Sequence, residues 1–195
     1  NGFKAGAADV AYISMKGSDA SDNSVNYTLP TLMDGLSVSA SYSSGGAAVQ
    51  STTAFGATYT GVEGLSVSYG VGEAGSTTAT LSGDVTTMKA SYAIGSFTAA
   101  VSNTESDKDS TGIDEEMDSW KLSYTISDDL SISYGEETHE TSAQTVDEEF
   151  EAISVSYTTG GMTLTAANYE ASGIANTAGE AGEANRWKLA ASFAF

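Results

Sequence analysis

The chain has 195 residues, with 26 acidic against seven basic side chains, a formal charge of −19, no Cys and a single Pro. Seven cations are few to meet a phosphate backbone, which argues against nucleic acid as a partner, and no stretch approaches the roughly 18 consecutive apolar residues of a spanning helix. Leu, Ile, Val and Phe are sparse beside Ser, Thr, Gly, Ala and Tyr, which suits no ordinary soluble core; the strict period of two in what apolar residues there are argues against disorder.

Alternation begins at Ser24–Leu29, with Val25, Tyr27 and Leu29 on one face. A turn holding Pro30 and Gly35 leads to Leu36–Ser43, where Leu36, Val38, Ala40 and Tyr42 oppose Ser37, Ser39, Ser41 and Ser43. Such a pattern predicts a strand with one apolar and one polar face. Thr53–Thr60 repeats it with Phe55, Ala57 and Tyr59, turns at Gly61–Gly64, and continues through Leu65, Val67, Tyr69 and Val71. Val85–Ala93 presents Met88, Ala90 and Tyr92, turns at Ile94 and Gly95, and continues through Phe97, Ala99 and Val101. Asp118–Ile126 presents Trp120, Leu122, Tyr124 and Ile126; after Ser127–Asp129 come Leu130, Ile132 and Tyr134. Phe150–Thr158 presents Ile153, Val155 and Tyr157, and Thr159–Gly161 leads into Met162–Glu170. There the parity slips from Met162, Leu164 and Ala166 to Ala167 and Tyr169, which a bulge or an early strand end would explain. Arg186–Phe195 closes the series with Trp187, Leu189, Ala191, Phe193 and Phe195, making eleven strands.

Short turns rich in Gly, Asp or Pro alternate with longer, mostly acidic connections at Ser44–Thr52, Gly72–Asp84, Asn103–Met117, His139–Glu149 and Ala171–Asn185. That alternation predicts an all-β, antiparallel up-and-down transmembrane barrel with its short turns on the periplasmic side. Tyr27, Tyr59, Tyr92, Tyr124, Tyr157 and Phe193 share the apolar face near the short turns or the terminus, as a lower aromatic girdle would; Trp120 and Trp187 sit near the opposite strand ends, where an upper one belongs. A soluble antiparallel sheet with a Tyr-rich core is the competing reading, and it would want larger aliphatics than these Ala and Gly positions. The chain lacks a basic and then apolar leader and does not start with Met, so the expectation is a mature form or a fragment. Absence of Cys suits passage through an oxidising periplasm.

The segment Asn23–Tyr42, with Tyr27 before Pro30 and Gly35 before the next strand, resembles the general porin family of Gram-negative outer membranes, as does the closing Arg186–Phe195. The resemblance implies sixteen strands, of which these eleven would be the sixth to the sixteenth, in a homotrimer with a constriction loop. It implies a terminal Phe195 read by the barrel-assembly machinery, and outer-membrane lipid and lipopolysaccharide as surroundings. On it, residues 1–22 are the tail of the constriction loop and residues 23–195 the barrel strands; alternatively Val10–Lys16 is a twelfth strand of a small closed barrel. The function implied is passive diffusion of small hydrophilic solutes and ions, with a structural or adhesion-type barrel bearing acidic loops as the alternative.

Four cations fall on the polar face: Lys89, Lys121, Arg186 and Lys188, the lysines in the recurring contexts Met88-Lys-Ala-Ser-Tyr, Trp120-Lys-Leu-Ser-Tyr and Trp187-Lys-Leu-Ala-Ala. They are candidates for lining a water-filled pore and biasing its ion selectivity; equally, they could pair with loop carboxylates and anchor the loops. From Asp107 to Asp118, acids at Asp107, Asp109, Glu115 and Asp118 with Gly112 at the sixth position resemble a calcium loop, although Thr111 is a poor fifth ligand and the flanks are strands. The plainer expectation is no cofactor, with solvated loops loosely collecting Ca2+ or Mg2+. His139, the single His, has no Cys or second His to complete a zinc site and no identifiable Ser nucleophile; Gly70–Gly72 lacks the Lys and helix of a phosphate loop. No enzymatic motif emerges.

Overall fold

The computed structural model describes residues 24–30, 32–45, 51–74, 82–109 and 112–193. Residues 1–22, including the alternative strand Val10–Lys16, and the terminal Phe195 lie outside them. Eleven strands follow in order: β1 (Ser24–Thr28), β2 (Leu36–Ser43), β3 (Thr52–Tyr59), β4 (Leu65–Ala74), β5 (Gly83–Ile94), β6 (Phe97–Lys108), β7 (Glu115–Ser127), β8 (Leu130–Thr141), β9 (Glu148–Thr159), β10 (Met162–Ser172) and β11 (Ala184–Phe193). They form one sheet in strict sequence order, each antiparallel to the next.

Register carries the faces intact from strand to strand. Residues directly opposite in an antiparallel pair share a face, and the apolar set pairs with itself: Tyr27 with Ala40, Phe55 with Val71, Tyr69 with Met88, Val101 with Trp120, Leu122 with Tyr134, Ile153 with Tyr134. This face holds no core. Trp187 is 75% exposed and Leu189 82%, and among the described residues no large side chain is fully buried. The buried residues of the strands are small and stand mostly on the other face, such as Ala54, Thr87, Ser102 and Ala167. A protein in water turns its large apolar groups inward because their hydration is costly; this sheet turns them outward, toward a hydrocarbon solvent.

The structure settles the slipped parity of Met162–Glu170. β10 holds unbroken register with both β9 and β11 to Ser172 and Ala171 respectively, without bulge or early end. Ala167 and Tyr169 are simply residues of the polar face, so no shift occurs; Tyr169 is an aromatic placed opposite to the wall. The register irregularity lies elsewhere, between Thr125 and Ser127 of β7.

Several strands also run past their apolar segments. β6 and β7 stay paired to Ser106 and Glu115, and β7 and β8 to Glu115 and Thr141, so much of the acidic sequence read as loop is extended sheet. Backbone pairing needs no apolar side chain, and the ladder continues wherever two strands remain opposed. At the other end, the short turns lock neighbouring hairpins together: the Gly35 carbonyl accepts from Thr60 N–H at 2.7 Å, Gly64 from Ala93 at 2.8 Å, Ser96 from Thr125 at 2.8 Å and Asp129 from Thr158 at 2.8 Å.

Candidate functional site, the polar face of the sheet

Between the turns and the rim, the polar face is chiefly hydroxyl. Ser and Thr pair across strands as Thr58–Ser68 (3.0 Å), Ser102–Ser119 (2.7 Å), Ser133–Ser154 (2.7 Å), Ser156–Thr165 (3.1 Å) and Thr158–Thr163 (3.0 Å). Each pair satisfies one hydroxyl with the other and leaves acceptor capacity for water. Such a wall is hydrated without being charged.

The four expected cations all stand on this face, and register brings them together. Lys121, Gly135, Ala152, Tyr169 and Arg186 form one cross-strand row. Lys89 belongs to the next row toward the long connections, through Ser102, Ser119, Glu137 and Phe150; Lys188 belongs to the next row toward the turns, through Ala167, Ser154 and Ser133. Three successive rows therefore hold all four. Among the described residues, no carboxylate lies within ion-pair distance of Lys121, Arg186 or Lys188, so the anchoring alternative finds no partner for these three there; Lys89 does have a further interaction. His139 Nδ1 lies 3.4 Å from Glu148 Oε2, an ion pair when the imidazole is protonated, both half-buried on the same face nearer the rim.

The apolar face is banded. Tyr27, Tyr59, Tyr92, Tyr124, Tyr157 and Phe193 lie beside the short turns or the chain end, and Phe97 meets Tyr124 at 4.6 Å between centroids with the rings tilted by 35°. Higher up, Trp120 meets Tyr134 edge-on at 5.4 Å, and both donate to Glu136, from Trp120 Nε1 at 3.1 Å and from the Tyr134 hydroxyl at 2.6 Å. With its amide oxygen turned toward the ring, Asn168 accepts from Trp187 Nε1 at 3.2 Å.

From the row of Trp120 outward this face becomes acidic. Glu73, Asp84 and Asp107 are directly opposed in register; so are Glu105, Glu116 and Glu140, and likewise Glu136, Glu151 and Glu170. Like charges directly opposite cost stability, and amides offset part of it: Asn103 Nδ2 donates to Glu116 at 2.9 Å and to Asp118 at 3.1 Å, and Asn185 Nδ2 to Glu170 at 2.9 Å. Sequence reading missed this band: it took Glu73, Asp84, Glu105, Asp107, Glu116 and Glu140 as loop residues with no face, and it did not connect them with Glu151 and Glu170, which it placed in strands.

The candidate calcium ligands Asp107, Glu115 and Asp118 are spread over two strands. Glu115 and Asp118 lie within strand β7, on opposite faces, with Glu115 paired to Ser106 and Asp118 to Asn103. Asp107 lies in β6 four pairs beyond Asn103, where it opposes Asp84. An extended strand spreads its residues about 3.4 Å apart, and no group of three or more potential ligands converges among the described residues.

No curated protein matches the chain. Among solved structures, it is similar to a porin refined at 1.8 Å resolution (15% identity, TM-score 0.68), covering 87% of this chain and 60% of that one. It is also similar to OmpT, an outer membrane protein of Vibrio cholerae: the outer-membrane expressed form (20%, TM-score 0.52, covering 76% and 54%) and the in-vitro folded trimer form (20%, TM-score 0.54, covering 86% and 59%). At such identities the likeness is one of fold, and the chain spans roughly three-fifths or less of those proteins. The family model of the Gram-negative porins matches residues 1–195 from end to end. With its outward apolar wall and up-and-down antiparallel sheet, the chain belongs to the Gram-negative porin family, whose place is the outer membrane.

Proposed function

We propose that this chain forms part of the wall of a water-filled channel, in a homotrimer, through which small hydrophilic solutes and ions diffuse passively without catalysis. The observation that supports it is the segregation of the two faces: aromatics and aliphatics on one, hydroxyls and four cations in three adjacent rows on the other. In this reading Lys89, Lys121, Arg186 and Lys188 line the pore and bias it toward anions, as fixed charge along a narrow aqueous path does. The Tyr27-to-Phe193 band and the pair Trp120 and Trp187 are its membrane girdles, and Phe195 is its signal to the assembly machinery. The acidic rim is a solvated surface near lipopolysaccharide that loosely gathers divalent cations. β1 and β11 run in the same direction, so an all-antiparallel closure needs an odd number of further strands between them; five would make the family's sixteen.

Reconstitution in a planar bilayer tests this. The full-length protein is expected to give large, ohmic single channels with an anion preference, and Lys121→Glu to move the reversal potential toward cations. A folded, inserted protein that stays silent would overturn the channel reading in favour of a plugged, adhesion-type barrel. Conducting channels with unchanged selectivity in Lys121→Glu would remove this residue from the filter.

A further inference from the structure

Tyr169 breaks the pattern of its strand, and its register neighbour is the chain's only Arg. On the polar face of β10 it stands directly opposite Arg186 of β11, whose guanidinium carbon lies 5.4 Å from the centre of the Tyr169 ring. Continuing the row toward Lys121, the next two strands contribute only Ala152 and Gly135. A guanidinium within about 6 Å of an aromatic face is attracted by the ring's quadrupole. Its planar, weakly hydrated head suits that contact better than an ammonium does. Arg186 has no carboxylate partner among the described residues that would hold it instead.

We infer that Tyr169 is a positioning residue for pore selectivity: its ring holds the Arg186 guanidinium against the channel wall, in the same row as Lys121. Without the ring, a long side chain flanked by small residues would spread over many rotamers, and its charge would move through the passage instead of facing solutes from one place. This rests on the channel reading and deepens it, by naming what fixes one of the charges an anion meets. It also accounts for an aromatic at a position where the strand otherwise alternates small residues on the polar side.

The test uses the full-length protein in bilayers together with phenylglyoxal labelling, read at Arg186 by mass spectrometry of the peptide that carries it, the one Arg of these 195 residues. Tyr169→Leu should move the reversal potential in the same direction as Arg186→Gln, by a smaller amount. It should also speed labelling of Arg186 by roughly two- to five-fold, the population change expected for a contact of this kind. Tyr169→Phe should restore both values, since the ring and not the hydroxyl acts, and Arg186→Lys should shift selectivity as Tyr169→Leu does. Wild-type values in Tyr169→Leu for both readouts, or a Tyr169→Phe that behaves like Leu, would overturn the inference. If Tyr169→Leu does not fold, an Arg186→Lys channel with wild-type selectivity overturns it equally. A silent wild-type channel refutes the channel reading instead, and the labelling rates still report whether the ring holds the guanidinium.

Discussion

Leu122→Lys is expected to lower folding stability in a phospholipid bilayer by about 2–4 kcal/mol, while Ser123→Lys, one residue along, leaves it nearly unchanged. The two positions differ only in face. Leu122 lies centrally in the outward stretch Trp120–Ile126, 46% exposed, between Ala99 and Tyr134. Ser123 opposes Thr98 and Ser133 on the hydroxyl face. A lysine on the lipid face near mid-membrane must be desolvated or must drag water inward, whereas one facing an aqueous lumen stays hydrated. Urea titration of refolding into vesicles, monitored by tryptophan fluorescence, measures both. The sign of the contrast separates the membrane from a soluble sheet, in which a half-exposed Leu122 would accept Lys within about 0.5 kcal/mol. Equal, small effects at both positions would refute lipid exposure of this face.

A second large loss is expected at Gly64, and for a reason distinct from its backbone angle. Gly64 has φ +75°, and its carbonyl accepts from Ala93 N–H at 2.8 Å; a Cβ added there would run into the Ala93 carbonyl oxygen. Gly95, in the next short turn, has φ +56° but open space around a new Cβ. Asn tolerates the left-handed region better than other side chains, so Gly64→Asn and Gly95→Asn differ chiefly in the collision. Gly95→Asn is expected to fold nearly as well as wild type. Gly64→Asn must instead push the β3–β4 turn away from β5 and sever that bond, which should markedly reduce the folded fraction on refolding. Mobility of unheated samples on SDS gels and far-UV circular dichroism read the difference. Equal folded fractions would show that turn-to-strand locking contributes little to assembly.

Both experiments depend on features that differ in how far the sequence discloses them. Leu122 and Ser123 could be assigned opposite faces from alternation alone. Contacts between strands could not: the collision at Gly64 arises because the β3–β4 turn lies against the end of β5, and no local pattern marks it. Tyr169 shows the same limit from the other side. Its mismatch with the apolar set was visible, but only pairing with Arg186 turned an apparent irregularity into an interaction. The rim was the larger miss. Acidic, Ser- and Thr-rich runs such as Glu105–Asp107 and His139–Thr141 carry no apolar alternation, so they read as loop, yet they are sheet. Polarity reports that a segment meets water; it does not report whether its backbone is still paired.

The sequence by itself therefore determined the class of fold, the face to which the strand residues outside Ala167–Glu170 belong, the alternation of short and long connections, and the common face of Lys89, Lys121, Arg186 and Lys188. Each follows from a period of two and from turn chemistry, which are local. Tertiary structure alone decided the gathering of those cations into three adjacent rows, the ring beside Arg186, the opposed carboxylates of the rim and the placing of Asp107, Glu115 and Asp118 on two strands. These depend on which residue of one strand stands opposite which residue of the next. Register is a property of pairs, set by the turns and the ladder of backbone bonds, and no single strand contains it.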